Sequence, residues 1–155
     1  MRTKLEIINF HPDYGPVFKE LNIEWLEKYF YVEPYDEKIL GNPESYIIKK
    51  GGYIFFAKIN SKIVGTVALI NQKECYELSK MAVSPKYQGL KIGHELINHC
   101  IAFSRQQGWS KIMLYSNTIL ETAIHLYKKV GFKKVKLEDH VNYDRANIKM
   151  VLKLS

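Results

Sequence analysis

Tyr87-Gln88-Gly89-Leu90-Lys91-Ile92-Gly93-His94-Glu95-Leu96 joins a stretch that reads as a β-strand, Tyr76 to Val83, to a strongly amphipathic helix. A glycine-bearing turn that opens a helix presents unpaired backbone N–H groups at the positive end of the helix dipole, where a phosphate binds readily. Lys86 and Lys91 set positive charge beside this turn, and Gly89 and Gly93 let the backbone approach a ligand with no Cβ in the way. The stretch reads as an anion cradle for a phosphorylated cofactor. Its plain alternative is an ordinary strand-to-helix connection.

About thirty residues on, Ala123-Ile124-His125-Leu126-Tyr127-Lys128-Lys129-Val130-Gly131-Phe132 reads as a short helix. Gly131 stops it where a left-handed cap is wanted, and a strand follows from Lys133. With both elements present, the chain resembles the GNAT superfamily of acyl-CoA-dependent N-acyltransferases. The cofactor motif of that superfamily is Arg or Gln, two residues, Gly, one residue, then Gly or Ala. Gln88, Lys91 and Gly93 fall on its three defined positions, so a lysine stands where most relatives have the middle glycine. The helix ending in Leu-Tyr, three residues, Gly-Phe is intact from Leu126-Tyr127 to Gly131-Phe132. Relatives often have Asn seven residues before that tyrosine; here the position is Leu120, with Asn117 the nearest substitute. The likeness runs well from Ile63 to Val135 and more loosely upstream.

At 155 residues and 46% hydrophobic, the chain can bury a full core without staples and is expected to form one domain over 1–155. Met1-Arg2-Thr3-Lys4-Leu5-Glu6 lacks a signal peptide's apolar run, and no stretch approaches the roughly 20 apolar residues of a membrane span. A cytoplasmic protein is expected, as monomer or homodimer, with no membrane or nucleic-acid partner. Cys75 and Cys100 form no Cys-x-x-Cys and the histidines are scattered, so no metal is assigned. The net charge of +7 is uneven: Glu20, Glu24, Glu27, Glu33, Asp36 and Glu37 face only Lys28 in their segment. Most of the molecule suits an anion and this smaller part a cation. A nucleic-acid surface would interleave basic and aromatic residues, but here the aromatics gather with acids.

Lys4 to Phe10 alternates as a strand, and His11-Pro12-Asp13 turns into a helix whose expected buried stripe is Phe18, Leu21, Trp25 and Tyr29. Tyr35 to Leu40 reads as a second short helix, and Asn42-Pro43 caps a third turn through Tyr46. Strands follow at Tyr53 to Ile59, Ile63 to Ile70 and Tyr76 to Val83, the first two joined by the hairpin signal Asn60-Ser61. After the cradle, Ile92, Leu96, Cys100 and Phe103 stripe a helix that Gly108 ends. Lys111 to Ser116 is a strand, Glu121 to Val130 a helix, and Lys133 to Leu137 and Ile148 to Leu154 the last strands. This order fits a mixed α/β fold with a central, mostly antiparallel sheet. The resemblance implies the GNAT-like version, a twisted sheet of six or seven strands flanked by helices.

The resemblance also implies the chemistry: direct acetyl transfer from acetyl-CoA to a small-molecule or peptide amine. Backbone groups of Met81, Ala82 and Val83 would pair with the pantetheine arm, and Gln88, Gly89, Lys91, Ile92, Gly93 and His94, with Leu90 between them, would hold the pyrophosphate. Asn117 joins the cofactor set. Tyr127 matches the tyrosine that gives a proton or hydrogen bond to the departing thiolate; a phenol near its usual pKa of about 10 keeps that proton at neutral pH. Glu77 stands where relatives often have a base, and Ser79 could hold a water beside it. The alternative for Glu77 is a solvated or cross-strand-paired carboxylate. Strict alternation along Tyr76 to Ala82 puts Glu77, Ser79 and Met81 on one face and Tyr76, Leu78, Lys80 and Ala82 on the other. Eleven of the chain's twenty aromatics lie between Tyr14 and Phe56, among acids. Because relatives shape the acceptor pocket with the helices after the first strand, Trp25, Tyr29, Phe30, Tyr31 and Tyr35, with Glu33, Asp36 and Glu37 among them, are expected to form a pocket for a cationic amine, against the alternative that they are core and solvated surface. Tyr143, Asp144, Arg145 and Asn147 could close the same site. A non-catalytic acyl-CoA-binding module would need the cradle but neither Glu77 nor Tyr127.

Overall fold

The structure, a computed structural model, describes residues 4–154. Its seven strands form one sheet in the order β1-β2-β3-β4-β5-β7-β6. They are β1 (Leu5–Asn9), β2 (Tyr53–Ile59), β3 (Lys62–Asn71), β4 (Tyr76–Val83), β5 (Lys111–Ser116), β6 (Lys133–Val135) and β7 (Ile148–Lys153). All neighbours run antiparallel except β4 and β5. Asn60 and Ser61 both take positive φ, at 48° and 72°. A two-residue turn of that kind matches the right-handed twist of the strands it joins, so the hairpin signal was physically sound.

Alternation along the strands divides the core. Phe55, Val67, Leu69, Leu78, Ile112 and Leu114 face α3 (Ile92–Gln106) and α4 (Glu121–Lys129), while Ile54, Phe56, Ala68 and Ile70 face α1 (Gly15–Tyr29) and α2 (Pro34–Gly41). Pro34 opens α2, where its missing N–H is no loss. The buried stripe of α1 is Phe18, Leu21, Asn22 and Leu26. Trp25 and Tyr29, expected there, fall to its edge: Trp25 is half-buried and Tyr29 is exposed. The last turn of α1 lies over a hollow rather than over packed strand. The third turn is a single π-helical turn, Glu44–Ile48, and the strand expected to reach Leu137 stops at Val135 with every residue exposed.

Two strand irregularities position the site. Ala68 pairs with Ser79 but Thr66 pairs with Ala82, so Val67 faces a β4 that holds one residue too many. Lys80 takes the strain, with φ at 56°. A bulge of this sort bends its strand and breaks the alternation. Lys80 consequently joins Glu77 and Ser79 on the α2 side, while Met81 packs with the α3 cluster. The expectation that Met81 would share a face with Glu77, and that Lys80 would oppose them, is corrected. Secondly, β4 meets β5 only at Tyr76 with Ile112 and Glu77 with Met113. Beyond Glu77 the two parallel strands part into a wedge. At its closed end Tyr76 stacks on Trp109, ring centroids 3.7 Å apart and planes 6° from parallel.

Gly52, at the entry to β2, has no space for a side chain: a Cβ there would lie 2.8 Å from the carbonyl oxygens of Ile47 and Leu69. Gly52→Ala is expected to lower stability by about 1–3 kcal/mol through overpacking. Urea denaturation would measure it, and a midpoint shift worth less than about 0.5 kcal/mol, the size of a surface change, would contradict the close approach.

Candidate active site

The open part of the wedge leads into a cleft of about 760 Å³. Met81, Ala82 and Val83 line one wall, and beyond the last β4–β5 pair no strand among the described residues takes the backbone groups on that edge of β4. Gln88, Gly89, Lys91, Ile92, Gly93 and His94 line the floor, where α3 begins. No side chain caps this helix, so its first N–H groups face the cleft unclaimed. Gly89 at φ +87° and Lys91 at φ +60° fold the turn that aims them. A left-handed lysine costs about 1–2 kcal/mol, which explains why glycine suits this position better. Ile119, His125 and Lys129, none of them expected in the site, also line the cleft, together with Leu120, which stands where relatives often have Asn. Leu90 lies outside its lining, 56% exposed.

A second hollow of about 130 Å³ adjoins the first, sharing Trp25, Met81, Leu120 and Ala123 with it. Glu77, Ser79, Trp25, Phe30, Asn117 and Tyr127 converge here from β4, α1, the β5 end and α4. Glu77 is 2% exposed; its Oε1 accepts a 2.7 Å hydrogen bond from Gln72 Nε2. Burial raises its carboxyl above the ordinary glutamate range, against the opposing pull of Gln72 and Lys80. Burial also pushes the Tyr127 phenol up to about 12, so it holds its proton throughout the neutral range. Tyr127 is fixed by α4's ending: Phe132 N–H donates to Tyr127 O and Gly131 N–H to Lys128 O, with Gly131 at φ +113°. This is the cap the sequence pointed to. Asn117 turns away from the larger cleft, where it was expected, because its side chain donates to Arg145 O and accepts from Ile119 N–H. Tyr29 lines only the larger cleft.

Tyr31 and Glu33 line neither hollow. Glu33 is buried because it fastens the segment before β7 to the start of α2. Its Oε1 accepts from Asp144 N–H at 2.7 Å, and its Oε2 from the Arg145 guanidinium at 2.9 Å. Asp36, fully buried, accepts from both terminal nitrogens of Arg145 and, at 2.7 Å, from Lys80 Nζ. Burial alone would raise the Asp36 carboxyl, but Arg145 and Lys80 outweigh it and hold the group below its usual value. Lys80 is drawn below the lysine range by the same burial, with Asp36 opposing. Tyr143 rides on this clamped segment, its hydroxyl 3.5 Å from Ser79 Oγ.

The profile of the acetyltransferase (GNAT) family matches residues 10–132. The chain belongs to that family. Among curated relatives, the probable N-acetyltransferase camello of Xenopus tropicalis is 33% identical over 98 residues, 61% of this chain and 45% of that protein. The match spans less than half the length of such curated relatives. Among solved structures, an acetyltransferase of the GNAT family from Staphylococcus aureus superposes with a TM-score of 0.86 at 26% identity, over 98% of this chain and 100% of that one. The PaiA N-acetyltransferase of Thermoplasma acidophilum, solved with coenzyme A, gives 0.75 at 20% identity, over 97% and 99%.

Within this GNAT chain, the turn, the strand edge and Tyr127 singled out from the sequence line the two hollows, whereas the pairing of Asp36 with Lys80 and Arg145 was not foreseen. Asp36 had a signal: Glu33-Pro34-Tyr35-Asp36 is a reciprocal helix cap, with Glu33 N–H donating to Asp36 Oδ2. Lys80 had none, because the bulge that turns it inward depends on register across β3. Asp36→Ala is expected to lower stability by about 3–5 kcal/mol at neutral pH, since it leaves buried cations unpaired. The sign with pH follows from the depressed pKa. The stabilisation is fully present above the unfolded value of 3.8 and is lost as pH falls through the lower folded value. Denaturation curves of wild type and variant should therefore converge toward low pH; a constant gap would remove the ionised carboxylate as the cause.

Proposed function

We propose that the chain is an N-acetyltransferase that moves an acetyl group from acetyl-CoA to a primary amine by direct attack. The observation that carries this reading is the junction of the two hollows at Met81, Leu120 and Ala123. It lets an extended thioester in the larger cleft present its carbonyl to an amine in the smaller one. The cleft fits coenzyme A on three counts: unclaimed helix N–H groups for phosphate, a free strand edge for an extended amide arm, and sufficient volume. The coenzyme A in the PaiA structure supports the same occupant.

Acetyl-CoA supplies an activated acyl carbon and a thiolate leaving group. In this reading Glu77 takes the proton that the amine must lose as nitrogen bonds to that carbon. Tyr127 gives a proton or hydrogen bond to the sulfur as the carbon–sulfur bond breaks. The environments suit the division of labour. A carboxyl with a raised pKa is a stronger base than an exposed one, and a buried phenol remains a donor. A module that only bound acyl-CoA would have no use for a carboxylate buried in the smaller hollow.

Turnover should rise with pH as Glu77 ionises, at a pKa above the ordinary 4.5. The deficit of Glu77→Gln should be largest between the raised Glu77 pKa and the pKa of the amine; it should close below the first, where the wild-type carboxyl is itself protonated, and above the second, where the amine needs no base. An unchanged pH–rate profile, followed by thiol release across an amine panel, would remove Glu77 from the mechanism.

Tyr127→Phe should keep the fold and the ring contact with Phe132, 5.9 Å between centroids, while slowing transfer. The expected loss in kcat is roughly ten- to thousandfold, the range for one acid or hydrogen-bond donor at developing negative charge. A kcat within about twofold of wild type, where neutral changes fall, would make Tyr127 a packing residue only.

A further inference from the structure

In the wall of the smaller hollow formed by the start of α2, the carboxylates are filled, while the ammonium beside them has donors to spare. Asp36 Oδ1 accepts from Lys80 Nζ and Arg145, and its Oδ2 from Arg145 and Glu33 N–H, which saturates a carboxylate. Glu33 is occupied by Asp144 and Arg145. The charges of these two acids are matched by Lys80 and Arg145. The acid-rich segment thus offers no free carboxylate for a second ammonium at this point. Lys80 is different. Its side chain is 3% exposed and it lines the hollow, yet among the described residues Asp36 is its one hydrogen-bond acceptor. Ring faces of Tyr143 and Tyr35 stand 4.6 and 5.6 Å from Nζ and steady the positive charge without accepting its remaining N–H groups in line. A buried ammonium with N–H groups left over is complemented by a group that only accepts.

Resting on the acetyl-transfer reading above, we infer that the acceptor is a small amine carrying its own carboxylate, as an α-amino acid does. Lys80 holds the carboxylate and Glu77 faces the amine. The bulge makes this possible by turning Lys80 to the same side of β4 as Glu77, three positions apart. The hollow, at about 130 Å³, admits the head of such a molecule, with the amine toward the junction with the larger cleft. A polyamine carries no acceptor-only group to offer Lys80 and sets a second cation beside it.

The test compares free α-amino acids with their carboxamides and decarboxylated amines at saturating acetyl-CoA, by thiol release. The acids should exceed the amides in kcat/KM by roughly ten- to hundredfold, the worth of a hydrogen bond to a charged group. In Lys80→Met the acid-to-amide ratio should fall toward one, and Lys80→Arg should restore part of it. A purely structural lysine would scale both arms together, which would overturn the assignment. So would amides or polyamines used as well as the acids. Calorimetry of the wild-type protein with coenzyme A and N-acetylglycine or N-acetylglycinamide needs neither turnover nor a variant. Tighter binding of the acid supports the site, and equal or absent binding of both overturns it. Selective acid binding without transfer would defeat the acetyl-transfer reading alone; transfer confined to amines lacking a carboxylate would defeat the acceptor assignment alone.

Discussion

The extra residue in β4 is the constraint on which the rest depends. Strands that pair along their full length leave no free backbone, and strict alternation would point Lys80 away from Glu77. One residue too many opposite Val67 changes both. It bends β4 away from β5, freeing an edge for an extended ligand, and it gathers Glu77, Ser79 and Lys80 on one side. The positive φ at Lys80 is strain that the antiparallel pairing with β3 on the other edge holds in place.

The ionic cluster answers a different need. The segment before β7 has little regular structure and few apolar side chains, so packing alone would leave it loose. Arg145 closes it by reaching Glu33 and Asp36 at the start of α2, and Asn117 adds a bond from the end of β5 to Arg145 O. Three parts of the chain distant in sequence meet there as the wall of the smaller hollow. Replacing such a cluster by apolar side chains need not reduce stability, so its value here lies in placing Tyr143 and Lys80.

Much of this was legible in the sequence because it is local. Helix caps at Gly108 and Gly131, the Asn60-Ser61 turn, Pro34 at a helix start and the strand-turn-helix around Gly89 are set by residues within a few positions of one another. The catalytic candidates Glu77 and Tyr127 inherit their places from those elements. What escaped depends on register or on distant partners. Lys80 was assigned to the wrong face because alternation carries no mark of a bulge. Glu33 was expected in a ligand pocket because a sequence shows an acid but not the arginine, 112 residues away, that claims it. Trp25 and Tyr29 have core spacing, yet the sheet beneath them opens, so the same spacing lines a hollow.

The stacked pair Tyr76 and Trp109 gives the wedge a fixed apex. With β5 paired to β7 along its length as well, neither arm of the V can swing outward without breaking a sheet. Adjacent strands sit about 4.8 Å apart, so an extended chain enters the wedge only where β4 and β5 have parted to about twice that spacing. Selection for a slender, amide-bearing guest is thereby written in main-chain geometry. A guest held this way is recognised by its backbone-like amides, whatever side chains surround the cleft.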